Sequence, residues 1–199
     1  MNRYVALEGI DGAGKTSVST ALALLLEEAG HEVMRVREPG GTAAGEGLRR
    51  ILLDGPPVTP WAEALMFAAA RAQLVTDVIR PALDRGAWVL SDRSVYSSLA
   101  YQGAGRQLGV DRVRRINQPG LGSTWPDVVL LLTVSPQQGL DRQARPDRIG
   151  SQGLAFLEAV AKGFAGLARD EPDRFVVVDA GRPMEQVLAA AWNALEARA

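Results

Sequence analysis

The sequence predicts an α/β domain in three layers, a parallel sheet with helices on both faces, and three observations predict it. Short apolar runs of strand length alternate with longer stretches of helical periodicity. A glycine-rich turn separates the first run from the first helix. The chain has 199 residues, about one domain's worth, and no repeat or linker long enough to divide it.

In order, "YVALE" (Tyr4–Glu8) reads as a buried strand, and past the glycines a helix runs from Lys15 to about Ala29. "EVMRVR" (Glu32–Arg37) is the second strand, ended by Pro39, Gly40 and Gly41. A helix carrying Leu48, Ile51 and Leu52 stops at the loop "DGPPVTP". A long helical pattern from Trp61 to about Asp84 contains Pro81, which lacks an N–H and marks a kink or break. "AWVLSD" (Ala87–Asp92) is the third strand. Tyr96–Gln102 reads as helix, and Gly103, Gly105 and Gly109 as a loop. "DVVLLLTV" (Asp127–Val134) and "RFVVVD" (Arg174–Asp179) are strands four and five. Between them lies the arginine-rich "DRQARPDRIG", followed by a helix to about Arg169.

Composition excludes several chemistries. The chain is 47% hydrophobic and 23% charged, with a formal net charge of -1, which disfavours a duplex nucleic-acid face. There is no cysteine, so disulfides, thiolate zinc sites and a cysteine nucleophile are ruled out. The only histidine, His31, lies in the turn before the second strand and reads as structural or solvated. No apolar run reaches the length of a membrane span, and the start lacks a secretory signal. The expected setting is the cytoplasm, with neither nucleic acid nor membrane as partner.

"GIDGAGKT" (Gly9, Ile10, Asp11, Gly12, Ala13, Gly14, Lys15, Thr16) matches G-x-x-x-x-G-K-[ST] between a strand and a helix, where its mechanism needs it. The glycines let successive N–H groups aim at phosphate oxygens, and the helix N-terminus adds partial positive charge. Lys15 is expected on the β/γ-phosphates and the Thr16 hydroxyl on Mg²⁺, so the chain binds a nucleoside triphosphate on a P-loop NTPase fold. The "SDRS" at the end of strand three supplies Asp92 to hold Mg²⁺ or its water, and Arg93 beside it. Arg142, Arg145 and Arg148 form a second cationic cluster, read as a lid over the triphosphate at about 141–150.

These residues together resemble the bacterial thymidylate kinase family. The likeness runs through "ALEGIDGAGKT" (6–16), "REPGGT" (37–42), "ALMFAAARAQLVTDVIRPAL" (64–83), "SDRS" (91–94), "AYQG" (100–103), "PDVVLLLTVSPQQGL" (126–140) and "DRQARPDRI" (141–149). The resemblance implies transfer of the γ-phosphoryl group of ATP to dTMP, with Mg²⁺, by a homodimer. It implies that Phe67 stacks on thymine and Arg71 meets the carbonyl edge of the base. Asp11 would hold the 3′-hydroxyl, Arg93 the acceptor phosphate, and Tyr101 would crowd the 2′ position. Ser97, Ser98 and Gln102 would lie near the base, and one of the lid arginines would do catalytic work. Two positions depart from the family pattern: Ser94 stands where tyrosine or histidine is common, and Gly150 where the lid often has glutamate.

The chemistry also bears on an alternative, a deoxynucleoside kinase with Glu38 as general base. A nucleoside hydroxyl must lose a proton in the reaction. A monophosphate with a second pKa of about 6 is largely ionised already and needs countercharge instead. An arginine at 93, another at 71 and three in the lid favour the phosphorylated acceptor. A nucleotide-gated binding switch is the remaining alternative, and no guanine-reading Asn-Lys pair supports it.

Overall fold

The structure, a computed structural model, describes residues 3–143 and 148–197. Five parallel strands form one sheet in the order β2-β3-β1-β4-β5, with β1 Tyr4–Glu8, β2 Val33–Arg37, β3 Trp88–Asp92, β4 Val128–Thr133 and β5 Phe175–Asp179. In register, Leu7 stands beside Asp92 and Glu8 beside Leu131.

The helices are α1 (Lys15–Glu28), α2 (Ala43–Asp54), α3 (Pro60–Leu74), α4 (Arg80–Asp84), α5 (Val95–Ser98), α6 (Val110–Leu121), α7 (Pro136–Asp141), α8 (Leu154–Asp170) and α9 (Met184–Glu196). Strand side chains alternate between two cores. Tyr4, Ala6, Val89, Val129 and Leu131 join the cluster beneath α3, α6 and α8, whereas Val5, Leu7, Leu90, Leu130 and Leu132 join the one beneath α1 and α9. Both faces of the sheet are therefore covered, as a parallel sheet demands.

Local chemistry sets the helix starts. Thr42 and Thr59 cap α2 and α3 with their hydroxyls, and Pro60 occupies the first turn of α3. Ser135 and Gln138 form a capping box on α7.

The long pattern over Trp61–Asp84 is continuous, but it widens into a π-helical turn over Val75–Ile79 before α4. Pro81 can supply no N–H to the residue four before it, and the wider turn absorbs that loss. Gly103 and Gly105, expected in a loop, lie instead within a second wide turn, Leu99–Gly105. Their role there is close packing. A Cβ on Gly103 would meet the Val110 backbone at 3.0 Å, and one on Gly105 would meet Phe156 at 2.8 Å. Sequence reading also places no helix at α6 or after β5, and both are occupied by helix.

Candidate active site

The loop between β1 and α1 needs glycine for two separate reasons. Gly9 has φ 138, and a Cβ there would lie 2.3 Å from the Leu132 carbonyl oxygen. Gly12 has φ 80, and its Cβ would lie 2.2 Å from the Gly139 carbonyl in α7. The P-loop backbone thus rests directly on β4 and on the helix leading into the arginine-rich segment.

Lys15, only 7% exposed, donates to the carbonyls of Ile10 at 2.9 Å and Gly9 at 3.2 Å. Burial, helped by the charge of Arg93, lowers its pKa to about 8. The Thr16 hydroxyl donates to Asp92 Oδ2 at 2.5 Å, so the two expected metal-side groups meet.

Arg93 follows β3 with φ 73, a left-handed conformation rare for a side chain of this size. Its guanidinium donates to Asp11 Oδ1, to Ser97 Oγ at 3.0 Å and to Tyr101 Oη at 3.3 Å, and lies 5.0 Å from the Tyr101 ring centre. Tyr101 donates in turn to Asp11 Oδ2 at 2.9 Å. Burial works against the Asp11 carboxylate, but Arg93 and Lys15 overcome it and hold its pKa below the usual value.

Beneath this group lies Glu8, fully buried at the end of β1. Its Oε1 accepts from the Ser94 amide and hydroxyl, both at 2.7 Å, and from the Ser97 amide at 3.1 Å; its Oε2 accepts from the Ser97 hydroxyl at 2.6 Å. Burial pushes its carboxyl pKa up, opposed by Ser97 and Arg93. Ser94 is therefore the small, hydroxyl-bearing residue that this contact accommodates. Glu8 was not expected in the site from sequence. A carboxylate closing a fully buried apolar strand was its signal.

Arg71 is 2% exposed. It donates to Glu38 Oε2 at 2.6 Å, Asn117 Oδ1, the Ser94 carbonyl at 3.2 Å and Ser98 Oγ at 3.0 Å. Burial pushes Glu38 up to about 7 despite Arg71, and its second oxygen, Oε1, has no partner among the described residues.

A cavity of about 820 Å³ unites these residues at the carboxyl ends of β1, β2 and β3. Asp11, Gly12, Gly14, Lys15, Thr16, Phe67, Arg71, Asp92, Arg93, Ser97, Ser98, Tyr101 and Gln102 all line it, and Phe67 and Arg71 share one face of α3. Gly9, Ile10 and Ala13 complete the loop from behind, with Ile10 and Ala13 buried in the two cores.

The arginines expected to form a lid separate. Arg142 donates to the Ala180 carbonyl at 3.1 Å, beyond the end of β5. Arg148 is anchored to the Leu52 carbonyl at 2.9 Å and to Glu63 at 3.0 Å, and does not line the cavity. Arg145 lies outside the described residues. Gly150 opens a short 3₁₀ turn, Gly150–Gln152.

A glycine cradle with its lysine, a hydroxyl–carboxylate pair, and an arginine sharing one cavity with the Phe67–Arg71 face define a nucleoside monophosphate kinase, a phosphotransferase. The chain belongs to the thymidylate kinase family, whose model, described as "Thymidylate kinase", matches residues 7–191. It is similar to the thymidylate kinase of Deinococcus radiodurans, 45% identical over 199 residues, which cover 98% of this chain and 97% of that one. The thymidylate kinase of Synechococcus sp. (strain JA-3-3Ab) is 43% identical over 195 residues, covering 98% and 96%. Among solved structures, the crystal structure of thymidylate kinase from Ehrlichia chaffeensis superposes with a TM-score of 0.82 at 28% identity, covering 96% of this chain and 97% of that one.

Proposed function

We propose that this chain, acting as one domain, transfers the γ-phosphoryl group of ATP to dTMP, giving dTDP. The observation that carries the reading is the one cavity lined together by the P-loop's Lys15 and Thr16, by Arg93 and by the Phe67–Arg71 face. Lys15 leaves the carbonyls it now holds to meet the β/γ-phosphates. Arg93 grips the acceptor phosphate, which carries its charge before the reaction begins. Phe67 stacks on thymine, Arg71 meets its carbonyl edge, and Ser97, Ser98 and Gln102 complete the base pocket. Asp11 takes the 3′-hydroxyl and Tyr101 fills the 2′ position. A lid arginine, Arg142 or Arg145, neutralises the transferring group, while Arg148 serves as the anchor of the lid's root.

Mg²⁺ fits the pair Thr16 and Asp92. Two hard oxygens converge within 2.5 Å, suiting an ion held otherwise by water and phosphate. When bound, it would neutralise charge on the β- and γ-phosphates.

The site of work is the cytoplasm and the working form a homodimer. Exposed Ile51 on α2 and Leu65 on α3 support the dimer, and sedimentation tests it: a monomer at assay concentrations would refute it. The kinase reading is tested by ADP release from ATP–Mg²⁺ with dTMP, thymidine, dUMP or no acceptor. Release with dTMP far above the others is expected. Release with thymidine instead would promote Glu38 to general base and overturn the reading.

A further inference from the structure

We propose that Glu63 is a positioning residue that fixes the amide of Gln102 and so makes the pocket choose a pyrimidine carrying N3–H. The inference rests on the dTMP reading above. Glu63 is the one carboxylate in the first turn of α3 and is fully buried, yet it does not line the cavity. Three residues converge on it. Arg106 donates to Oε1 and Oε2, both at 3.2 Å; Arg148 donates to Oε2 at 3.0 Å; and Gln102 Nε2 donates to Oε1 at 3.0 Å.

Four N–H donors, three of them from two guanidiniums, meet the two Glu63 oxygens and fill their acceptor positions. Gln102 must therefore present its NH₂ to Glu63, which turns Oε1 the other way. Gln102 lines the cavity, and no described residue donates to its Oε1. The oxygen is left as a fixed acceptor for the ligand. Thymine and uracil carry a donor at N3, whereas N3 of cytosine is a bare acceptor. A freely turning amide could offer either end and serve both bases. Held by Glu63, a turned amide would set its oxygen against a carboxylate oxygen, so cytosine meets an unpaired acceptor.

The test measures kcat/KM for dTMP, dUMP and dCMP in the wild type, Glu63→Gln, Gln102→Ala and the double variant. Glu63→Gln is expected to lower the dTMP/dCMP ratio at least about tenfold, the usual weight of one unsatisfied buried polar group. The dTMP/dUMP ratio is expected to hold, because both bases carry N3–H. In the Gln102→Ala background, Glu63→Gln should lower the dTMP/dCMP ratio no further. A folded Glu63→Gln protein with unchanged dTMP/dCMP preference would overturn the proposal. So would a parallel fall in dTMP/dUMP, or a loss that persists without Gln102. If Glu63→Gln fails to fold, Glu63→Asp keeps the charge for both arginines and withdraws the carboxylate by one methylene. Its dTMP/dCMP ratio must then fall too, and an unchanged ratio refutes the assignment. A wild type that does not phosphorylate dTMP would overturn the kinase reading itself, a result distinct from any change in ratio.

Discussion

Replacing Arg71 by methionine should make stability depend steeply on pH, through Glu38. In the folded protein burial pushes Glu38 up to about 7 from an ordinary 4.5, and Arg71 is the main influence holding it down. The folded value exceeds the unfolded one, so a bound proton favours the folded state. Glu38's contribution is fully present below pH 4.5 and is lost as pH rises through about 7.

Without Arg71 the folded value climbs further. Between pH 7 and that new value the folded state holds one proton more than the unfolded. Stability there falls by about 1.4 kcal/mol per pH unit. The wild type, with Glu38 at about 7, is half-way through shedding that proton at pH 7 and has shed it about a unit higher. The depressed pKa of Lys15 is common to both proteins and cancels in their difference.

At pH 7 the variant also loses the bonds from Arg71 to Asn117, Ser94 and Ser98, at about 1 kcal/mol each. The stability gap should therefore start near 3 kcal/mol and widen by about 2–3 kcal/mol from pH 7 to pH 9. Urea unfolding at pH 6, 7, 8 and 9 measures it, and adding Glu38→Gln to the variant should remove the slope. A gap constant within about 0.5 kcal/mol over pH 7–9 would refute the reasoning.

Further outcomes follow from the same contacts. Arg93→Ala should leave a folded protein with turnover down at least about 100-fold, the scale of a lost transition-state charge contact; near-normal kcat would remove Arg93 from the reaction. Tyr101→Ala opens the space beside Asp11 and should relax discrimination against the ribonucleotide, measured as the dTMP-to-ribothymidine-monophosphate ratio of kcat/KM; an unchanged ratio would place that selection elsewhere. For ATP, kcat/KM should be level at neutral pH and fall above about 8, where Lys15 gives up the proton that meets the phosphates. A profile flat well past that pH would show that Lys15 stays charged or is dispensable.

The five strands were legible because continuous apolar runs between breakers have few other readings, and the glycine cradle was legible because its spacing is dictated by phosphate geometry. The segment Val110–Leu121 was not. "VDRVRRINQPGL" buries only Val113, Asn117 and Leu121, and it carries Pro119 inside the helix. Gly103 and Gly105 have the look of a turn in sequence, but packing against Val110 and Phe156 is what excludes a larger residue. In the site, the residues proposed to meet ligand come from recognisable motifs. Those that hold them, Glu8, Glu63, Arg106 and Asn117, are single polar residues in other elements, and only the packing of those elements brings them in.

The neighbouring placement of β1 and β3 has a consequence for durability. Thr16 follows one strand and Asp92 ends the other, and Leu7 and Asp92 pair across them. The Thr16–Asp92 contact is thus backed by a ladder in the middle of the sheet, the kind of element whose amides are expected to exchange only on global opening. Arg142 and Arg148 are held instead by side-chain bonds outside that ladder, to the Ala180 carbonyl and to the Leu52 carbonyl and Glu63. On warming, the side-chain bonds of Arg142 and Arg148 should loosen first, while the Thr16–Asp92 contact holds until the whole sheet gives way at once.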